Sequence, residues 1–275
     1  MFQGELSTLR RARTYSQLAA AKNLRPQHPL VKLTADKYAV RAHVAQRVGE
    51  RYLIPVLQVV ERAEDLDFDA LTEPCVIKGA HGCNMTVLLP DPATADRDEV
   101  RSTVRSWLDT DFHRFGWRET QYRGIPRRVI VERFIGDGVS PPPDYKFFMF
   151  NGKLGMVAVD QDRFAAHTST LLSPDWRPFD VVGTFDGAGK LPEKPAGFDE
   201  MLQVAQKLSG DFEFARIDLY YVDGRVYFGE ITHFPGGGLV RLRPREFDLA
   251  LGEMWRTGTP VPERFIRPVT ANTAR

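Results

Sequence analysis

The sequence predicts an α+β protein in which helices alternate with antiparallel hairpins. Three observations predict it. Apolar residues such as Val40, Val44 and Val48 recur near helical spacing. The pairs Asn151-Gly152 and Asp223-Gly224 each separate two apolar, β-rich runs, which is the strongest short-range hairpin signal. No internal repeat or heptad array competes with that alternation. The 275 residues suffice for one large domain or two modest ones.

Each element follows from local signals. Residues 1–30 are basic and polar, with helix formers around 16–23 and a cap at Thr14 or Ser16. In TADKYAVRAHVAQRVGERY, Tyr38, Val40, Val44, Val48 and Tyr52 define a helical face, with Thr34 as N-cap. Ile54-Pro55 ends it, because proline disfavours helix at the preceding residue. Residues 56–60 read as a strand and 65–71 as a helix or turn. PCVIKGAHGCNMTVLLP reads as a hairpin, with strands at 75–78 and 85–89 and a polar tip carrying Gly79 and Gly82. Residues 96–115 read as one helix, with Val100, Val104, Trp107 and Leu108 on one face. A buried strand is expected at 128–134, a Gly/Pro loop at IGDGVSPPPD, and two strands over 145–160. Residues 163–195 read as irregular and 198–208 as an amphipathic helix. A last hairpin, 214–222 with 225–231, precedes a glycine-rich loop, a helix over 244–255 and a loose tail from Thr257.

Composition excludes several classes. Lys and Arg number 37 against 36 Asp and Glu, so nothing favours a generic electrostatic grip on nucleic acid. Aromatic residues make up 11% of the chain, which excludes disorder. The two cysteines, Cys75 and Cys83, are too few for a disulfide framework, and no His or Cys pair stands at zinc spacing. The N-terminus lacks the apolar core of a signal peptide, and no run approaches a membrane span. A cytoplasmic protein is the expectation.

The segment FARIDLYYVDGRVYFGEITHFPGGG carries the most chemistry. Alternate strand residues share a face, so Arg216 and Asp218 point one way, as do Glu230 and Thr232. The turn at Asp223-Gly224 places Asp218 roughly opposite Glu230. Two carboxylates that close repel unless a cation lies between them, and hard oxygen ligands suit Mg²⁺. A solvent-facing strand with ordinary ion pairs is the competing reading. His233 falls on the other face and reads as structural. Lys78 ends an apolar strand before a glycine-containing tip, where a lysine can meet phosphate. It could equally be an edge-strand lysine that blocks aggregation. Glu132 ends the 128–134 strand, where a carboxylate and backbone groups can meet a base and ribose. An ion pair with a neighbouring arginine is the alternative. Asp144 and Lys146, two apart in PDYKFF, share one face of the next strand.

The ordered blocks DKYAVRAHV, VIKGAHGCNM, VIVERFIGDG, DYKFFMFNGKL, VDQDRF and FARIDLYYVDGRVYFGEITHFPGGG resemble the ATP-grasp superfamily, and within it the TupA-like branch. The resemblance covers roughly residues 14–255. It implies an ATP-grasp fold, two α+β subdomains clasping ATP, preceded by a helical N-terminal segment. Residues 1–70 would be that segment, 71–134 the subdomain with the mobile loop, 135–256 the subdomain with metal and catalytic residues, and 257–275 a tail.

The resemblance also implies roles. Lys78 matches the lysine on the ATP phosphates, and the 79–84 tip, with His81 and Gly82, the loop covering them. Glu132 with the backbone of Arg133, Phe134 and Ile135 matches the adenine-binding linker, and Asp144 the ribose ligand. Asp218 and Glu230 match the Mg²⁺ ligands. Thr232 stands where the family's third ligand, an asparagine, is usual. Arg216 matches the arginine that steadies an acyl phosphate and its oxyanion, with Lys146 beside it, and Arg163 is a candidate for substrate carboxylate or phosphate. The implied activity is ATP-dependent joining of a carboxylate to an amine, with ATP and Mg²⁺ as cofactors. The substrates would be small molecules, amino acids or sugar acids of cell-surface polymer or natural-product assembly. A kinase of the same superfamily and a non-catalytic nucleotide-binding protein are the alternatives.

Overall fold

The computed structural model describes residues 11–115, 119–136, 140–161, 168–181, 191–238 and 242–268. Three short helices come first: α1 (Tyr15–Asn23), α2 (Pro29–Ala35) and α3 (Val40–Arg47). The strands β1 (Val56–Val60), β2 (Cys75–Gly79), β3 (Thr86–Leu89) and β4 (Val129–Arg133) form a four-stranded antiparallel sheet in the order β1-β4-β2-β3. Helices α4 (Arg97–Asp109) and α5 (Phe112–Phe115) lie between β3 and β4 in sequence. The strands β5 (Asp144–Phe150), β6 (Lys153–Gln161), β7 (Thr168–Leu172), β8 (Phe214–Val222) and β9 (Arg225–Thr232) form a second antiparallel sheet, β7-β6-β5-β8-β9. Helix α6 (Phe198–Ser209) precedes β8, and α7 (Arg245–Thr257) follows β9.

The smaller sheet is apolar on one face. Cys75 and Ile77 of β2 and Val129 and Val131 of β4 pack against Val100 and Val104 of α4. The intervening residues, Lys78, Ile130 and Glu132, turn to the opposite face and line a cavity.

The larger sheet is covered on both faces, but differently. On one face Tyr145, Phe147, Met149, Ala215, Ile217 and Leu219 pack against α3 and α6. The other face is divided along the strands. Phe148 and Phe150 of β5, Met156 and Ala158 of β6 and Phe214 of β8 form its apolar half under α1 and α7. The next same-face positions are charged: Lys146 and Asp144 on β5, Asp160 on β6, Arg216 and Asp218 on β8. One alternation therefore builds a hydrophobic floor at one end and a polar floor at the other.

The N-terminal helices are woven into this sheet. Thr14 caps α1 in a capping box with Gln17, as its sequence suggests. The Tyr15 ring lies edge-on to Phe148, Phe150 and Phe214. A Cβ at Gly252 of α7 would collide with the carbonyl of Arg13, so this crossing needs a glycine. Lys22 is buried and donates to the carbonyl of Phe214 at 2.7 Å.

Four elements differ from expectation. Thr34 is no N-cap: it lies inside α2 and its hydroxyl donates to the carbonyl of Leu30, while the Asp36 carboxylate takes the N–H groups of Tyr38 and Ala39 and restarts the helix. The expected 96–115 helix ends at Asp109, where Thr110 is extended. Only Ala63–Asp65 is helical near the expected 65–71 element, as a single turn. Residues 168–172, expected to be irregular, form the edge strand β7, because β6 offers a free edge for it to pair with.

Candidate active site

Backbone register builds the polar floor. Lys146 stands opposite Asp218, and Asp218 opposite Glu230. The row beside it runs Phe148, Arg216, Thr232. A bulge follows at once, since Leu219 pairs with Phe228 and skips Gly229. A Cβ on Gly229 would lie 3.0 Å from the carbonyl of Asp218 and from the Tyr220 ring. Bulges commonly re-aim side chains beside active sites, and this one borders Glu230.

The side chains close into one network. Arg216 donates through Nε to Asp218 Oδ1 at 2.7 Å and through Nη2 to Asp218 Oδ2 at 2.6 Å. The same Nη2 donates to Glu230 Oε1 at 2.9 Å and to Thr232 Oγ1 at 2.8 Å. The Thr232 hydroxyl donates to Glu230 Oε1 at 2.8 Å. Lys146 is ion-paired to Asp144, to Asp218 at 3.0 Å and to Asp160 at 3.6 Å.

Burial chiefly pushes the Asp218 carboxyl up to about 6, with Asp144 and Glu230 adding to it and Arg216 and Lys146 opposing. Burial also acts to raise Glu230, but Lys37, Arg216 and Lys146 outweigh it and hold that carboxyl well below the usual range. For Lys146, burial favours the neutral amine, and the three aspartates overcome it to raise the pKa.

A cavity of about 310 Å³ separates this floor from the smaller sheet. Asp144, Asp218, Tyr220, Phe228 and Glu230 line one wall, and Lys78, Thr86, Ile130 and Glu132 the other. Lys37 and Arg41 close a third side. Lys78 Nζ donates to Glu132 Oε2 at 2.7 Å, and Arg41 to its other oxygen at 3.2 Å. Lys37 Nζ donates to the carbonyl of Gly82, fastening the 79–84 tip. A smaller apolar pocket of about 100 Å³ adjoins, lined by Ile54, Val76, Leu88, Phe134 and Ile135 and sharing Lys78, Thr86 and Tyr220 with the cavity.

The site residues read from sequence are thus distributed as follows. Arg216, Asp218, Glu230 and Thr232 converge on the floor, with Asp144 at its edge and Lys146 beneath. Lys78 and Glu132 face them. Phe134 and Ile135 border the apolar pocket, together with Arg133, whose side chain also pairs with Glu73. The N–H groups of Arg133 and Phe134 are taken by the carbonyls of Pro55 and Pro74, so they do not point into the pocket as open donors. His81 does not line the cavity. It is buried, its Nε2 donating to the carbonyl of Trp107, and it fastens the tip to α4. His233 is buried against Thr34 and Phe212, as a structural residue would be. Arg163 lies outside the described residues. Lys37 and Arg41 were not singled out by the sequence, although DKYAVR places them one helical turn apart.

Asp218 and Glu230 fit a Mg²⁺ ion, which takes one or two carboxylates and completes its shell with waters and substrate phosphates. Among the described residues, no three His, Cys, Asp or Glu side chains converge to hold a metal alone. No described helix is long and apolar enough to cross a membrane.

No curated protein matches the chain in sequence. Solved structures do resemble it. A D-alanine–D-alanine ligase from Bacillus anthracis complexed with ATP is 18% identical, over 74% of this chain and 55% of the ligase, with a TM-score of 0.44. The ADP complex of purK, N5-carboxyaminoimidazole ribonucleotide synthetase, is 14% identical over 75% of this chain and 46% of its own, with a TM-score of 0.49. The D-cycloserine synthetase DcsG is 16% identical over 82% and 72%, with a TM-score of 0.47. The chain spans about half the length of the first two. The model of the TupA-like ATPgrasp family matches residues 17–256, nearly the whole chain. The protein therefore belongs to the TupA-like ATP-grasp family.

Proposed function

We propose that the protein is an ATP-dependent ligase joining a small-molecule carboxylate to an amine through an acyl phosphate. The observation that carries this reading is the cross-strand row Lys146–Asp218–Glu230 with Arg216 beside it, facing Lys78 across the cavity. ATP-grasp relatives that are ligases support the general class.

In this reading the adenine enters the apolar pocket beside Phe134 and Ile135, and Asp144 takes the ribose. Lys78 and Lys37 hold the phosphates by charge-assisted contacts. Asp218 and Glu230 hold Mg²⁺, which when bound neutralises phosphate charge. The substrate carboxylate attacks the γ-phosphorus and ADP leaves. The amine then attacks the acyl carbon, inorganic phosphate departs, and the amine loses a proton to give the amide. Arg216 stabilises the acyl phosphate and the oxyanion formed on attack. Lys146 orients Asp218 and keeps it ionised. Arg163 remains a candidate for the substrate carboxylate.

The test is ADP release over a panel of acids and amines, with product masses. ADP release that requires both an acid and an amine and yields their amide supports the ligase. A phosphorylated hydroxyl product formed without an amine would replace this reading with a kinase.

A further inference from the structure

The Nη2 atom of Arg216 touches all three candidate metal-binding oxygens, on Asp218, Glu230 and Thr232, at 2.6 to 2.9 Å. Nε of the same side chain holds the other Asp218 oxygen. A divalent ion bound by these groups needs the same lone pairs at about 2.0–2.1 Å. The guanidinium and the ion cannot share that position. We propose that Arg216 is a resident counter-cation that fills the metal position in the nucleotide-free protein and is displaced when metal and nucleotide load.

The proposal rests on the assignment of Asp218 and Glu230 as metal ligands. Charge supports it. Arg216 pairs with both Asp218 and Glu230, so one guanidinium offsets two neighbouring carboxylates. Without the guanidinium, Glu230 would lose its direct cation partner on the floor. A pivot is also present. The Nε contact to Asp218 Oδ1 can persist while Nη2 leaves Glu230. Metal loading and delivery of Arg216 to the reacting phosphoryl group then become one event. Metal without nucleotide would have to expel the arginine with nothing to receive it.

The test is Mn²⁺ binding to the full chain, followed by the loss of the free-ion electron paramagnetic resonance signal, with and without ADP. Without nucleotide, Arg216→Ala and Arg216→Gln should bind Mn²⁺ at least about tenfold more tightly than wild type. Arg41→Ala removes a cation that lines the same cavity but pairs with Glu132 and touches none of the three oxygens, and should change affinity much less. Millimolar methylguanidinium should compete with Mn²⁺ in Arg216→Ala but not in wild type. Equal affinities for wild type and both Arg216 variants would overturn the proposal, as would an equal gain in Arg41→Ala. If wild type binds Mn²⁺ with ADP in that case, the metal-site assignment survives and only the counter-cation falls. If no protein binds Mn²⁺ even with ADP, both fall.

Discussion

Lys78 and Glu132 form an ion pair across β2 and β4, with Nζ 2.7 Å from Oε2, so the expected phosphate ligand and the expected base-side carboxylate are partners before any nucleotide arrives. Arg41 holds the second oxygen of Glu132. Under the proposed function, nucleotide would meet a lysine already lining the cavity, with Arg41 left to balance Glu132 once Lys78 turned to phosphate.

Lys78→Ala should weaken ATP binding about 10- to 100-fold, since it deletes a charge-assisted contact worth roughly 1.5–3 kcal/mol. Isothermal calorimetry with a non-hydrolysable analogue reads this directly. Unchanged affinity would remove Lys78 from the nucleotide site.

Glu230→Gln should lose turnover by at least about a hundredfold, because it removes a metal-binding charge and keeps the shape. Its melting temperature should fall at neutral pH, because the cations that hold the Glu230 carboxyl below its usual range stabilise the ionised folded form. Asp218→Asn should lose turnover and also stability, because Arg216 and Lys146 both lean on Asp218. Breaking one partner of a buried pair costs roughly 3–5 kcal/mol. Steady-state rates and thermal unfolding of the two variants read these outcomes, and wild-type melting temperatures in both would count against the network described.

Gly252→Ala should destabilise the protein even though alanine in a helix interior is ordinarily preferred by about 1 kcal/mol. The new methyl meets the carbonyl of Arg13, and overpacking of this kind costs roughly 1–3 kcal/mol. Urea unfolding gives the sign, and a stabilised variant would show that α1 does not dock against α7 as described.

Lys22 supplies a pH dependence remote from the site. Burial lowers its pKa from the ordinary lysine value to about 8, with Glu213 opposing. Below about pH 8 both folded and unfolded chains carry the proton and the contribution is flat. Between about 8 and 10 the unfolded chain binds more protons, so stability rises with pH. The stability of wild type relative to Lys22→Met should increase between pH 7 and 10, by at most roughly 2–3 kcal/mol. Denaturant titrations at three pH values check it, and a constant difference would mean that Lys22 stays charged throughout.

Much of the floor was legible because it lies on strands. Arg216, Asp218, Lys146, Glu230 and Thr232 each obey period-two alternation, and the Asp223-Gly224 turn sets the register that pairs Asp218 with Glu230. The third side was not. Arg41 reaches Glu132 over 91 residues of sequence, and Lys37 reaches Gly82 over 45. Local periodicity carries no information about such closures. His81 misled for a related reason: a polar tip reads as solvent-facing, but the carbonyl at the end of α4 draws the imidazole inward. The edge strand β7 has no hairpin signal of its own and exists because β6 needs a partner.

The crossing of α1 with α7 has a consequence for how the chain is made. The Ser16 amide binds the Asp248 carboxylate across 232 residues, and Tyr15 fills the floor on which Trp255 also rests. During synthesis the first helix leaves the ribosome long before the last one exists. Until then its buried tyrosine has only half a seat. The small sheet can condense early from the 56–133 stretch. The large sheet's apolar half is complete only once its final helix has emerged. A ribosome-stalled chain ending before Arg245 should carry a folded small lobe and a protease-sensitive large one.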